Sequence, residues 1–135
     1  MMKPIEWDSR LEIGDEFIDL QHRTFVILVA RSARALEKRV THDVLMKIFY
    51  EIKKYAEFHF VSEENFMLSV AYPDYIEHEQ MHSHLLSELS MKISEANRNE
   101  KCAPDVLDFL YHWLLVHIAR EDKKIMSHIA RRSGG

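Results

Sequence analysis

The residues of this chain with the most chemistry in them are its histidines. There are nine, and two of them stand in HEQMH, residues 78 to 82. That stretch fits the H-E-x-x-H pattern, in which two imidazoles one helical turn apart hold zinc and the intervening glutamate acts as a general base. The spacing by itself says less, because histidines at i and i+4 on a helix present a pair of nitrogens to any borderline metal. A zinc protease also needs a third ligand, and the longer pattern that supplies one fails here, since Leu85 and Glu88 stand where glycine and histidine are required. On a helix Glu79 is turned about 100° from His78, which makes it a solvent-facing acid.

The elements that must position these residues are helices. After a non-periodic arm, about 1–17, apolar or ligand-type residues recur at three- and four-residue spacing through His22, Val26, Val29, Ala33, Leu36 and Val40. Thr41 suits the N-cap of a second helix, with the stripe Leu45, Ile48, Ile52, Tyr55, His59, Ser62 or Glu63, and Phe66. Tyr72-Pro73 interrupts the pattern, and Asp74 with Glu77 three residues on reads as the start of a third helix. Its stripe is Tyr75, His78, His82, Leu85, Leu89 and Ile93. Pro104 suits the first turn of a fourth, carrying Val106, Leu110, Trp113, His117 and Ile125. The spacing thus predicts helices over about 18–39, 41–68, 74–95 and 104–129. Short connections between them imply an all-α, antiparallel up-down-up-down four-helix bundle with an N-terminal arm, a single domain over residues 1–135.

Composition agrees with long helices. Of 135 residues, 47% are hydrophobic and 30% charged, and only 3 Gly and 3 Pro are available for turns, too few for a many-stranded fold. A formal charge of −4 and a pI near 6.1 argue against a nucleic-acid partner. The one cysteine, Cys102, cannot form an internal disulfide, which suits a reducing compartment. The opening MMKPIEWDSRLEIG has no apolar signal-peptide core, and no apolar run reaches the roughly 18 residues that a membrane span needs. A cytoplasmic protein with no membrane association is expected.

On these helices His22, His59, His78, His82 and His117 fall where the period demands an inward residue, and the carboxylates Glu63 and Asp122 follow two of them. Antiparallel threading brings all seven to one level of the bundle, where each supplies the partner that a buried polar group requires. The other four histidines do not share this property. His84 points nearly opposite to His82, His112 is about 140° from His117, His42 lies in a first turn and His128 near a helix end, so surface roles are expected for them.

Imidazole and carboxylate without thiolate suit iron, manganese or zinc. Seven side chains are too many for one ion, whereas two ions bridged by Glu63 and Asp122 would use them all. Five histidines then divide as three and two. With a bridging oxide or hydroxide the first ion is full at six ligands and the second keeps one open position, the arrangement that a reversibly bound diatomic needs. One spacing is awkward, because Asp122 lies at i+5 from His117 and diverges from it by about 140° on a regular helix. Some over- or under-winding, such as a π-type turn, must bring it inward. Glu121, at i+4, would need none.

His22 preceded by Asp19-Leu20-Gln21, His59-x3-Glu63, His78-x3-His82 and His117-x4-Asp122 together resemble the hemerythrin signature. The resemblance runs from Trp7 in the arm through the fourth helix and includes EENFM, the YP turn and the stretch Trp113 to Ile118. It is greatest to single-domain bacterial hemerythrins, and the visible departure is Ala71, where a glycine commonly precedes the turn. The resemblance implies a non-heme di-iron centre, two iron ions with an oxo or hydroxo bridge. His78, His82 and His117 would hold the six-coordinate iron, His22 and His59 the five-coordinate one, and Glu63 and Asp122 would bridge, which favours Asp122 over Glu121. Phe25, Trp113, Leu114 and Ile118 would form the apolar pocket of the open position. The function implied is reversible O2 binding without turnover, for storage or delivery, in a protein that is not an enzyme. Nitric oxide or small anions such as azide are further candidate ligands. Oxygen or redox sensing through a separate protein partner, or iron and nitric-oxide handling, are the alternative roles, and no particular protein partner is implied. A ferritin-like di-iron oxidase would want Glu-x-x-His on two helices, and only Glu79 to His82 fits.

Overall fold

The computed structural model describes residues 12–134, with the side chains at 114, 115, 119 and 132–134 outside the described set. The first part of the arm, Trp7 included, also lies outside it. Helix α1 spans Glu16–Glu37, α2 His42–Ser69 and α3 Tyr75–Arg98, and a short 3-10 turn at Glu100–Cys102 leads into α4, Ala103–Trp113. A π-helical stretch, Leu114–Asp122, continues α4 and passes without a break into α5, Lys123–Gly134. These last three segments form the fourth helix of a four-helix bundle, and no strand occurs among the described residues. No described helix is long and apolar enough to cross a membrane.

The helix ends show which local signals act. Helix α1 begins before the predicted position because Asp15 caps it, its carboxylate accepting from the Ile18 N–H at 3.0 Å. Apolar periodicity alone misses this turn, since Phe17 is exposed. Asp19 then ties down the end of the arm by accepting from the Ile13 and Gly14 N–H groups at 2.7 and 3.2 Å. Thr41 caps α2 by accepting from the Val44 N–H at 3.4 Å. Asp74 does stand at the N-cap of α3, but its side chain makes no capping hydrogen bond, so the capping-box reading with Glu77 does not hold. The buried face of α1 also differs by a residue late in the helix. Ser32 and Ala35 are buried where periodicity ran through Ala33 and Leu36, and the Ser32 hydroxyl is satisfied locally by donating to the Val29 carbonyl at 2.8 Å.

Both α1 and α2 end in the same way. The N–H of Tyr72 bonds to the carbonyl of Met67 at 2.9 Å and that of Ala71 to Leu68 at 3.2 Å, a Schellman pair that needs a left-handed residue. Ala71 takes that conformation at φ +53°, as Arg39 does at φ +54° after α1. A Cβ is crowded there, so Ala71→Gly is expected to stabilise the protein by roughly 1 kcal/mol. An upward shift of the urea midpoint with unchanged slope would show it. No shift would mean that glycine's greater freedom in the unfolded chain cancels the relief.

Packing sorts the interior into three levels. The larger apolar cluster includes Phe25, Val29, Phe49, Ile52, Phe60, Leu89, Val106, Leu110, Trp113 and Ile118. A smaller one gathers Met67, Tyr72 and Ile125. Along α2 the chain passes from Phe60 through Glu63 to Met67, and along the fourth helix from Ile118 through Asp122 to Ile125. The histidines and their acids therefore occupy a polar layer between two apolar ones.

Candidate metal centre

Every helix of the bundle contributes to that layer: His22 from α1, His59 and Glu63 from α2, His78 and His82 from α3, and His117 and Asp122 from the π-helical stretch. All seven are buried, none more than 4% exposed. Their donor atoms fall into two groups that share Glu63, each with its atoms within 4.8 Å of one another. One group is Glu63, His78, His82 and His117, the other His22, His59, Glu63 and Asp122.

The carboxylates each turn one oxygen to each side. Glu63 Oε1 lies 2.8 Å from His78 Nε2 and 3.0 Å from His82 Nε2, while its Oε2 faces His59 and His22 at 3.6 and 3.7 Å. Asp122 Oδ1 faces His78 and His117 at 3.3 and 3.6 Å, and its Oδ2 lies 3.2 Å from His22. Widening of the helix is what brings Asp122 here, since a regular α-helix would carry it about 140° away from His117. Glu121 is left outside the layer, where Lys124 donates to it at 2.9 Å.

The outer nitrogens of three histidines have partners that sequence reasoning missed. His59 Nδ1 donates to the Gln21 side-chain oxygen at 2.8 Å, and His82 Nδ1 to Glu64 Oε2 at 2.8 Å. His117 Nδ1 meets the Met81 sulfur at 3.1 Å. Such donation keeps Nε2 as the lone-pair atom, turned inward. The adjacency of Gln21 to His22 and of Glu64 to Glu63 was the available signal, but each reads on a helix as merely the next face round.

Whether metal fits can be judged from what the protein leaves unsatisfied. Among the described residues His59 Nε2, His117 Nε2, Glu63 Oε2 and both Asp122 oxygens are buried without a hydrogen-bond partner. Each such group costs about 1–3 kcal/mol unless something else satisfies it. Five imidazoles and two carboxylates with atoms left over are a donor set for two borderline cations, and iron fits it.

Left to themselves, the same side chains share protons. Burial opposes charge on His22, but the facing carboxylates of Asp122 and Glu63 carry it up to about 10. His78 is likewise raised to about 10 by the same two acids against the effect of burial. Burial pushes His59 down to about 4 and also lowers His117. For Glu63 burial is again opposed and outweighed, here by the neighbouring imidazoles of His22, His78 and His82, which hold it well below the usual carboxylate range.

Around the layer the rings are closely fitted. Phe60 stacks on His82 with centroids 3.9 Å apart, Phe25 meets Trp113 edge-on at 4.8 Å, and Phe25 and Trp113 approach His59 and His117 at 6.5 and 6.2 Å. Of the predicted pocket residues Phe25, Trp113 and Ile118 are buried, and the Leu114 side chain lies outside the described residues. The remaining histidines stay out of the layer. His84 is exposed beside Glu88 and His112 is exposed. His42 and His128 are only partly exposed, because each ring nitrogen meets a carbonyl, Asn97 at 3.1 Å and Val70 at 3.0 Å. Glu79, only partly exposed, is held by the Tyr75 hydroxyl at 2.9 Å.

Fold and site together define a four-helix-bundle protein with a histidine-rich, carboxylate-linked two-metal centre. Residues 13–129 match the Hemerythrin HHE cation binding domain, and the chain belongs to the hemerythrin family, di-iron proteins that bind oxygen. It is 29% identical to a bacteriohemerythrin of Clostridium acetobutylicum over 87% of this chain and 95% of that one. A bacteriohemerythrin of Stenotrophomonas maltophilia is 24% identical, over 90% of this chain and 79% of the relative. A myohemerythrin of Theromyzon tessulatum is 25% identical, over 90% and 91% respectively.

Proposed function

We propose that this chain binds O2 reversibly, without turnover, for storage or delivery in the cytoplasm. His78, His82 and His117 would hold one iron, His22 and His59 the other, and Glu63 and Asp122 would serve both. The observation that carries this reading is the split of each carboxylate, one oxygen toward each set of histidines. Two ferrous ions bound there would supply the electrons that O2 requires. The chain's own contribution is to hold the donors in place and keep water away. Glu63 and Asp122 fix the spacing between the two sets. Gln21, Glu64 and Met81 orient imidazoles from behind. Phe25, Trp113 and Ile118 exclude water and offer no acid or base to a second substrate, which supports binding over catalysis. The lone Cys102 thiol is free and suits a reducing compartment.

Purified protein is expected to carry two irons per chain and to change colour reversibly between anaerobic reduction and exposure to air. Metal analysis and absorption spectra test this together. One zinc and no iron would overturn the metal assignment, and colour that cannot be cycled would overturn reversible binding.

A further inference from the structure

The partners behind the imidazoles are not alike. Behind His59 stands a neutral amide, Gln21, itself only 3% exposed, and behind His82 stands a carboxylate, Glu64, whose side chain is 18% exposed. The two contacts have the same length, 2.8 Å, so they differ in charge and not in reach. Phe60, one turn before Glu64, lies flat against the His82 ring at 9° between planes, so packing holds the ring's plane while Glu64 holds its rotation within that plane. A carboxylate that accepts from the outer N–H of an imidazole makes the inner nitrogen a stronger donor to a metal, and a neutral amide does so far less.

We propose that Glu64 is a positioning and tuning residue, loading negative charge through His82 onto the iron of the three-histidine set and leaving the Gln21 side without it. This rests on the division of ligands proposed above. The pair is then electronically lopsided by design of its surroundings as well as by ligand count, with the iron nearest Glu64 the easier to oxidise.

Glu64→Gln keeps an acceptor at His82 Nδ1 and removes the charge. The variant is expected to retain two irons per chain while its reduction potential rises and its autoxidation slows severalfold. Gln21→Glu, the reverse change on the other side, is expected to lower the potential and hasten autoxidation. Potentials and autoxidation rates equal to the parent's in an iron-loaded Glu64→Gln protein would overturn the proposal. So would loss of iron from that variant, because a neutral amide would have failed at the task Gln21 performs. Should Glu64→Gln not fold, Gln21→Glu decides alone, an unchanged or raised potential counting against it. A parent protein with fewer than two irons would instead overturn the di-iron reading itself.

Discussion

Alanine at position 59 is expected to take the iron content from two per chain to near zero, while His84→Ala leaves it at two. His59 is one of only two imidazoles on its side of the layer, so its loss leaves His22 alone there with two carboxylates that must also serve the other side. The second iron suffers as well, because Glu63 and Asp122 then each carry an oxygen with nothing to bind. The Gln21 oxygen loses its donor too, at a cost of about 1–3 kcal/mol. His84 is on the same helix as His78 and His82 but exposed, so its removal touches none of this. Iron per chain and thermal midpoint, measured on both variants and the parent, give the answer. Equal iron loss in the two variants would mean that the helix faces are wrongly assigned.

Iron uptake is expected to release about two protons per chain near pH 7. His22 and His78, held at about 10 by Asp122 and Glu63, are protonated at neutral pH when no metal competes, and each must give up that proton to bind. His59, pushed to about 4 by burial, has none to lose. With two protons displaced, apparent affinity for ferrous iron should fall about a hundredfold for each pH unit below neutral where those two sites dominate. Anaerobic titration in buffers of different ionisation enthalpy measures the proton count, and release of none would refute the protonation scheme.

The same shifts set the stability of metal-stripped protein. A histidine raised above its unfolded value of 6.5 contributes stability that is complete below 6.5 and disappears as pH climbs through about 10. His59 acts oppositely, costing stability as pH falls from 6.5 toward about 4, since only the unfolded chain accepts its proton there. Maximum stability near neutral pH follows, with decline on both sides.

Much of the layer was legible because a histidine on an apolar stripe is conspicuous: His59, His78, His82 and His117 each interrupt a three-four repeat of core residues. Even the winding defect was foreseeable, since His117-x4-Asp122 cannot share a face on a regular helix. Gln21, Glu64 and Met81 were not legible. Their positions are one helical step from a conspicuous neighbour, and which nitrogen they reach depends on ring rotation, a tertiary property. Ser32 shows the converse, a polar residue that sits in the core by bonding to its own helix. Asp15 was missed because the first turn of α1 buries little before Ile18, so the apolar repeat starts later than the helix.

Three residues separate His59 from Glu63 and three separate His78 from His82, but four lie between His117 and Asp122. In a rigid α-helix Trp113 and Ile125, at the two ends of this segment, would diverge by about 120° and could not both face the core. The π-helical stretch between them, nine residues long, takes up the surplus instead, so Trp113 before it and Ile125 after it are both buried. The fourth helix thus behaves as two independently phased rods joined by a slack coupling. What the centre demands of this segment is phase and not length, and a chain one residue shorter here could offer the same carboxylate from an ordinary helix.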